Sequence, residues 1–157
     1  MSRSPQESER VVEMVLPATP LAPGQARAAL RELPDELPPG VLDDVLLLVS
    51  EIVTNSVRHA AKGPDGRIHL RVRSSRTGVL VDVWDWGPGF APDAVGVPRP
   101  NGDDGFGLYL VAQLSSRWGV EREGSTHVWL EIAKPPLRAT PRRQLGGGRP
   151  DAPTPMP

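Results

Sequence analysis

The chain has 157 residues, 38% of them hydrophobic and none of them cysteine, which supports one buried core and excludes disulfides, thiolate zinc sites, iron–sulfur clusters and a cysteine nucleophile. The net charge of -1 hides an acidic body, with 13 basic and 18 acidic residues over positions 1–133, and a tail from Lys134 with five basic residues and one acid, so direct nucleic-acid binding by the body is not expected. No apolar run approaches a membrane span and the start MSRSPQESER is too polar for a secretory signal, which predicts a cytoplasmic protein without membrane contact.

Residues 1–9 are polar and predict a flexible N-terminus. Val11, Val12, Met14, Val15 and Leu16 then predict a short strand closed by Pro17. Helical spacing of Leu21, Ala22, Ala26, Ala29, Leu30 and Leu33 predicts a helix over 21–33, ended by Pro34. A stronger helical pattern begins near Pro39-Gly40 and runs through 41–61 to Lys62, with Gly63-Pro64 as its stop. Alternation at Ile68, Leu70 and Val72, then at Val79, Val81 and Val83, predicts two antiparallel strands, 67–73 and 79–85, joined by a turn that includes Gly78. The Pro- and Gly-rich stretch 91–104 reads as a loop, 108–118 as a third helix and 126–132 as a last strand. Beyond these, residues 134–157 hold seven prolines and a Gly146-Gly147-Gly148 run. With few apolar side chains to offset the entropy of ordering, they predict a disordered basic tail behind a folded domain of residues 10–133.

On the second helix, Glu51, Asn55, Arg58 and Lys62 follow at spacings of four, three and four, within about 60° of arc at roughly 100° per residue. They share one stripe at the edge of the apolar face. An ordinary solvated helix face would show the same charges, but asparagine is a poor mid-helix residue because its amide competes for backbone hydrogen bonds. A carboxylate one turn before an amide oxygen makes sense where the amide ligates Mg²⁺, a hard cation that keeps waters and phosphate oxygens as its other ligands.

Asp85-Trp86-Gly87-Pro88-Gly89-Phe90 follows a strand directly. The glycines alone could be a tight turn; the acceptor-only carboxylate could in addition take the exocyclic amine of a purine, with glycine letting backbone approach the base. Further on, Gly105-Phe106-Gly107-Leu108 opens a helix, whose unpaired N–H groups favour a phosphate. His59, His69 and His127 are too scattered for a metal cluster, and Trp84, Trp118 and Trp129 read as core or sheet-cover residues.

In this order, Glu51-x-x-x-Asn55-x-x-Arg58-His59, Asp85-x-Gly87-x-Gly89 and Gly105-x-Gly107-Leu108 resemble the N box and two glycine boxes of the GHKL ATPase superfamily. Within it, LLLVSEIVTNSVRHA and LVAQLSSRWGV followed by HVWLEI look like the anti-sigma-factor serine/threonine kinases of the actinobacterial type, over roughly residues 11–132. The resemblance implies a two-layer α/β sandwich with a mixed sheet covered on one face by helices. It implies ATP and Mg²⁺ as cofactors, Asn55 as metal ligand, Glu51 as general base toward a serine hydroxyl and Arg58 near the phosphates. Asp85 would bind the adenine amine, Gly87 and Gly89 would shape the base pocket, Gly105 and Gly107 would hinge a lid, and Leu108 would start the helix beneath the phosphates. Aligning on Val128-Trp129 puts His127 where the family carries a pocket threonine; aligning on Gly124 leaves Thr126 nearby. The implied partners are a sigma factor and an anti-sigma antagonist protein that is phosphorylated, and a homodimer is compatible with this. Two other functions fit the same motifs: an ATP-dependent protein-binding module without transfer, and a detached histidine-kinase catalytic domain, for which no phosphoacceptor helix pair fits before Pro17.

Overall fold

The structure is a computed structural model that describes residues 9–33, 37–38, 40–60, 66–87 and 106–135. Strand β1 (Arg10–Pro17) leads into helix α1 (Ala22–Leu30), then helix α2 (Val41–Ala60), strands β2 (Arg67–Ser74) and β3 (Gly78–Asp85), helix α3 (Phe106–Leu114), and strands β4 (Arg117–Arg122) and β5 (Thr126–Ala133). The five strands form one sheet in the order β1-β2-β3-β5-β4. The α/β architecture is the expected one, but every described strand pair is antiparallel, where a mixed sheet was expected. The β2–β3 hairpin sets that pattern: Ser75 N–H donates to the Gly78 carbonyl at 2.9 Å, and β5 then pairs antiparallel with the far side of β3.

Alternation along the strands produces two unlike sheet faces. One face carries the cross-strand row Val12, Val72, Val81, Leu130 and Trp118, of which the central three are fully buried. Against it lies α2, with Val45, Leu48, Val49, Ile52 and Val53 buried on one stripe. Asp43 and Asp44 in its first turn and Arg58 and His59 in its last complement the helix dipole. Helix α1 buries Ala22, Ala26 and Leu30, and its Arg27 donates to Ser50 Oγ of α2 at 3.0 Å. The other sheet face carries Glu13, His69, Arg71, Arg73, Asp82, Trp84, His127 and Trp129.

Two helix C-termini and one strand differ from the pattern reading. Helix α1 ends at Leu30, and Arg31–Leu33 close in turn-type bonds, with Glu32 N–H on the Ala29 carbonyl and Leu33 N–H on the Leu30 carbonyl. The third helix spans Phe106–Leu114 instead of reaching Trp118, because Ser115 ends it and Ser116 joins the sheet through N–H and Oγ bonds of 2.8 Å to the Glu131 carbonyl. Trp118 therefore belongs to β4, a strand the sequence did not announce. A Cβ on Gly119 would stand 2.7 Å from Trp129 Nε1, so a larger residue there would have to displace the indole. The expected stop of the second helix, the 91–104 loop, the N-terminus up to residue 8 and the tail from residue 136 lie outside the described residues.

Candidate functional site

Glu51 and Asn55 lie one turn apart on α2, half-buried, where its buried stripe meets the surface; Arg58 follows on the same stripe and is exposed. The start of α3 comes against them. A Cβ on the buried Gly107 would lie 2.9 Å from Asn55 Nδ2 and 3.3 Å from Glu51 Oε2. Glycine at this position lets α3 begin this close without displacing the carboxylate and the amide. Leu108 follows on the first turn of α3 and turns to the cleft beyond it.

At the other end of the site, β3 delivers Asp85, which is 3% exposed. Gly87 N–H donates to Asp85 Oδ1 at 3.2 Å, and Ser56 of α2 lines the same cleft. Burial pushes the Asp85 carboxyl above the usual carboxylate range; the Ser56 hydroxyl, the Gly87 N–H and the charges of His59 and Arg122 pull part of the way back. The turn after Asp85 is pressed onto the end of α2. A Cβ on Gly87 would run into the His59 carbonyl and stand 2.8 Å from the Ala60 nitrogen. Asn55, Ser56 and His59 of α2, Asp85 of β3, Leu108 of α3 and Val128 of β5 thus line one narrow cleft.

Strand alternation decides between the two candidates on β5. Thr126 is the cross-strand partner of Asp85 and is buried on the helix side, in the row Leu16, Ile68, Asp85, Thr126 and Arg122. His127 points to the opposite face, with Nε2 3.0 Å from Asp82 Oδ1, Nδ1 3.3 Å from Glu121 Oε2 and its ring stacked on Trp84 at 4.5 Å. Gly89 and Gly105 lie outside the described residues. Ser56, His59 and Arg122 were not picked out as site residues by pattern. The available signal was Ser56, a hydroxyl at a buried helical position directly after Asn55.

Among the described residues, no group of three or more His, Asp or Glu is arranged to hold a metal by itself. The Glu51 carboxylate and the Asn55 amide both come up to Gly107, Asn55 with its Nδ2 turned to it; with the amide oxygen as ligand the pair would suit Mg²⁺, which takes few protein ligands and keeps phosphate oxygens and waters.

Residues 16–132 match the family model of the histidine kinase-like ATPase domain. The chain belongs to that family. All the site residues named above fall within the match, and the family supports ATP binding by the domain. No curated protein matches the sequence at a significant level. No helix among the described residues is long and apolar enough to cross a membrane.

Proposed function

We propose that the chain is a Mg·ATP-dependent protein serine/threonine kinase that sequesters a sigma factor and phosphorylates an antagonist protein. The observation that carries the reading is the convergence of Glu51 and Asn55 on Gly107 at the start of α3, with Asn55 and Asp85 lining one cleft. Phosphoryl transfer needs positioning, charge neutralisation and a base more than covalent chemistry from the protein. Asp85 holds the base end, and Arg58 adds positive charge on the stripe that carries Asn55. Asn55 would hold Mg²⁺, whose part is to neutralise the phosphate charge. Glu51 takes the proton from an incoming serine hydroxyl as its oxygen bonds to the γ-phosphorus, and ADP leaves with the electron pair of the broken P–O bond. The sigma factor and the antagonist follow from the resemblance of the whole motif set to the anti-sigma-factor kinases.

The test uses the full chain, a Mg·ATP titration and a phosphorylation assay on candidate antagonist proteins. Glu51→Gln keeps ATP affinity within about twofold and loses transfer by about 10² to 10⁴, the usual worth of a general base, while Asn55→Ala loses both. Undiminished transfer by Glu51→Gln overturns the base assignment. ATP-dependent complex formation without any phosphoserine would make the domain a nucleotide-gated binding module.

A further inference from the structure

Helix α2 leaves one apolar residue exposed, Leu47 at 41%. A single exposed leucine is ordinary on a protein surface; its place on the helix is what matters. Asp44, Leu47, Glu51, Asn55 and Arg58 follow at spacings of three, four, four and three, which puts them within about 80° of arc at roughly 100° per residue. Leu47 therefore continues the stripe of Glu51 and Asn55 toward the helix N-terminus, about 6 Å before Glu51 at 1.5 Å per residue. On one side of that stripe Arg27 of α1 holds Ser50, and on the other Gly107 of α3 lies against Glu51 and Asn55. Leu47 stands in the gap between α1 and α3.

The two halves of the stripe face different tasks. Asn55 lines the cleft together with Ser56 and His59, which places the nucleotide on the C-terminal side of Glu51, whereas neither Leu47 nor Asp44 lines that cleft. In phosphoryl transfer the attacking and leaving oxygens lie roughly in line through the phosphorus. The hydroxyl therefore arrives from the side away from ADP, over Leu47. Asp43 and Asp44 sit one turn before Leu47, where i, i+3 and i, i+4 neighbours meet, and neither is paired among the described residues. A segment crossing here meets an apolar side chain flanked by two negative charges. Those charges favour lysine or arginine on the segment and repel an acidic one.

We infer that Leu47, Asp43 and Asp44 form the docking surface for the phosphoacceptor segment of the protein substrate. That segment places an apolar side chain about 6 Å from the accepting hydroxyl, one helical turn or two extended residues away, and a lysine or arginine beyond it. The inference rests on Glu51 as the base of a protein kinase and names what that kinase accepts.

The test measures KM and kcat of the full chain on whichever candidate antagonist protein it phosphorylates, with the Mg·ATP affinity of each variant alongside. Leu47→Asp raises KM for the protein substrate by about tenfold, the scale of a lost interface anchor, and leaves kcat and Mg·ATP affinity within about twofold. Leu47→Ala gives the same reading on a smaller scale should the new charge unsettle the helix. Asp44→Lys raises KM several-fold, and the increase shrinks at high salt. Changing the basic residue beside the phosphorylated serine to glutamate raises KM for the unmutated chain and restores it for Asp44→Lys, which a structural effect alone would not do. An unchanged KM in Leu47→Asp, a fall in kcat alone, or a phosphorylated serine without apolar and basic side chains beside it overturns the inference while the kinase reading stands. An unmutated chain that binds Mg·ATP but phosphorylates none of the candidates overturns the kinase reading, and the docking surface with it.

Discussion

Gly107 and Asn55 meet across the α2–α3 interface so closely that a single added carbon on Gly107 would stand 2.9 Å from the asparagine amide nitrogen. The two residues belong to motifs separated by some fifty positions in sequence, and the contact joins them into one site. The Asn55 and Glu51 side chains can be seated only as long as position 107 has none.

Gly107→Ala is therefore expected to push Asn55 and Glu51 aside and to weaken Mg·ATP binding at least about tenfold, while the fold survives with a loss of about 1–3 kcal/mol, the scale of overpacking a tight contact. A nucleotide titration beside a thermal melt checks both halves. Unchanged affinity would remove Gly107 from the site.

Gly87→Ala meets backbone instead of a side-chain end, since the new carbon collides with the His59 carbonyl. The end of α2 or the turn after Asp85 has to move. A larger stability loss than for Gly107→Ala is expected, together with loss of ATP binding, and parallel denaturant titrations of the two variants decide the order.

The Asp85 carboxyl gives a pH signature. Burial raises it above its ordinary value of 3.8, so the folded chain holds that proton more tightly than the unfolded one. Its contribution to stability is fully present below that ordinary value and is lost as the pH rises through the folded value. Relative to the unmutated protein, Asp85→Asn is expected to gain in melting temperature from about pH 4 to about pH 7. ATP affinity of the unmutated chain runs the other way and falls as the pH drops through the raised value, because protonation removes the acceptor. Calorimetric melts over that range test the first statement; a difference that does not change with pH counts against it.

Thr126 and His127 are neighbours with opposite assignments. Thr126→Val is expected to weaken ATP binding several-fold, because it lies beside Asp85 on the helix side. His127→Ala is expected to leave nucleotide affinity within about twofold and to cost about 1–2 kcal/mol in stability, through the lost contacts to Asp82 and Trp84. Titration and denaturant unfolding of both variants separate the two effects, and the reverse pattern would put His127 in the site.

Leu130 lies fully buried in the central cross-strand row between Val81 and Trp118. Leu130→Ala is expected to cost about 2–5 kcal/mol, the usual penalty for an aliphatic cavity in a close-packed core. Urea unfolding measures it.

Much of this protein was already decided by the chain taken in order. Apolar spacing along residues 41–60 set both the helix and its buried stripe, and the alternation in residues 67–73 and 79–85 set a hairpin, because these periods follow from backbone geometry alone. The stripe of Glu51 and Asn55 was readable for the same reason. Three things were decided only by the tertiary structure. Whether Thr126 or His127 faces the site depends on which side of β5 the helices cover, and local pattern carries no information about that. Strand β4 exists because Glu131 offers its carbonyl to Ser116 and because Gly119 makes room for Trp129, and both partners lie more than nine residues along the chain. Ser56 and Asp85 share one cleft only because α2 packs onto β3. Local periods depend on neighbours a few residues apart, whereas the polar contacts that make the site depend on how separate elements pack.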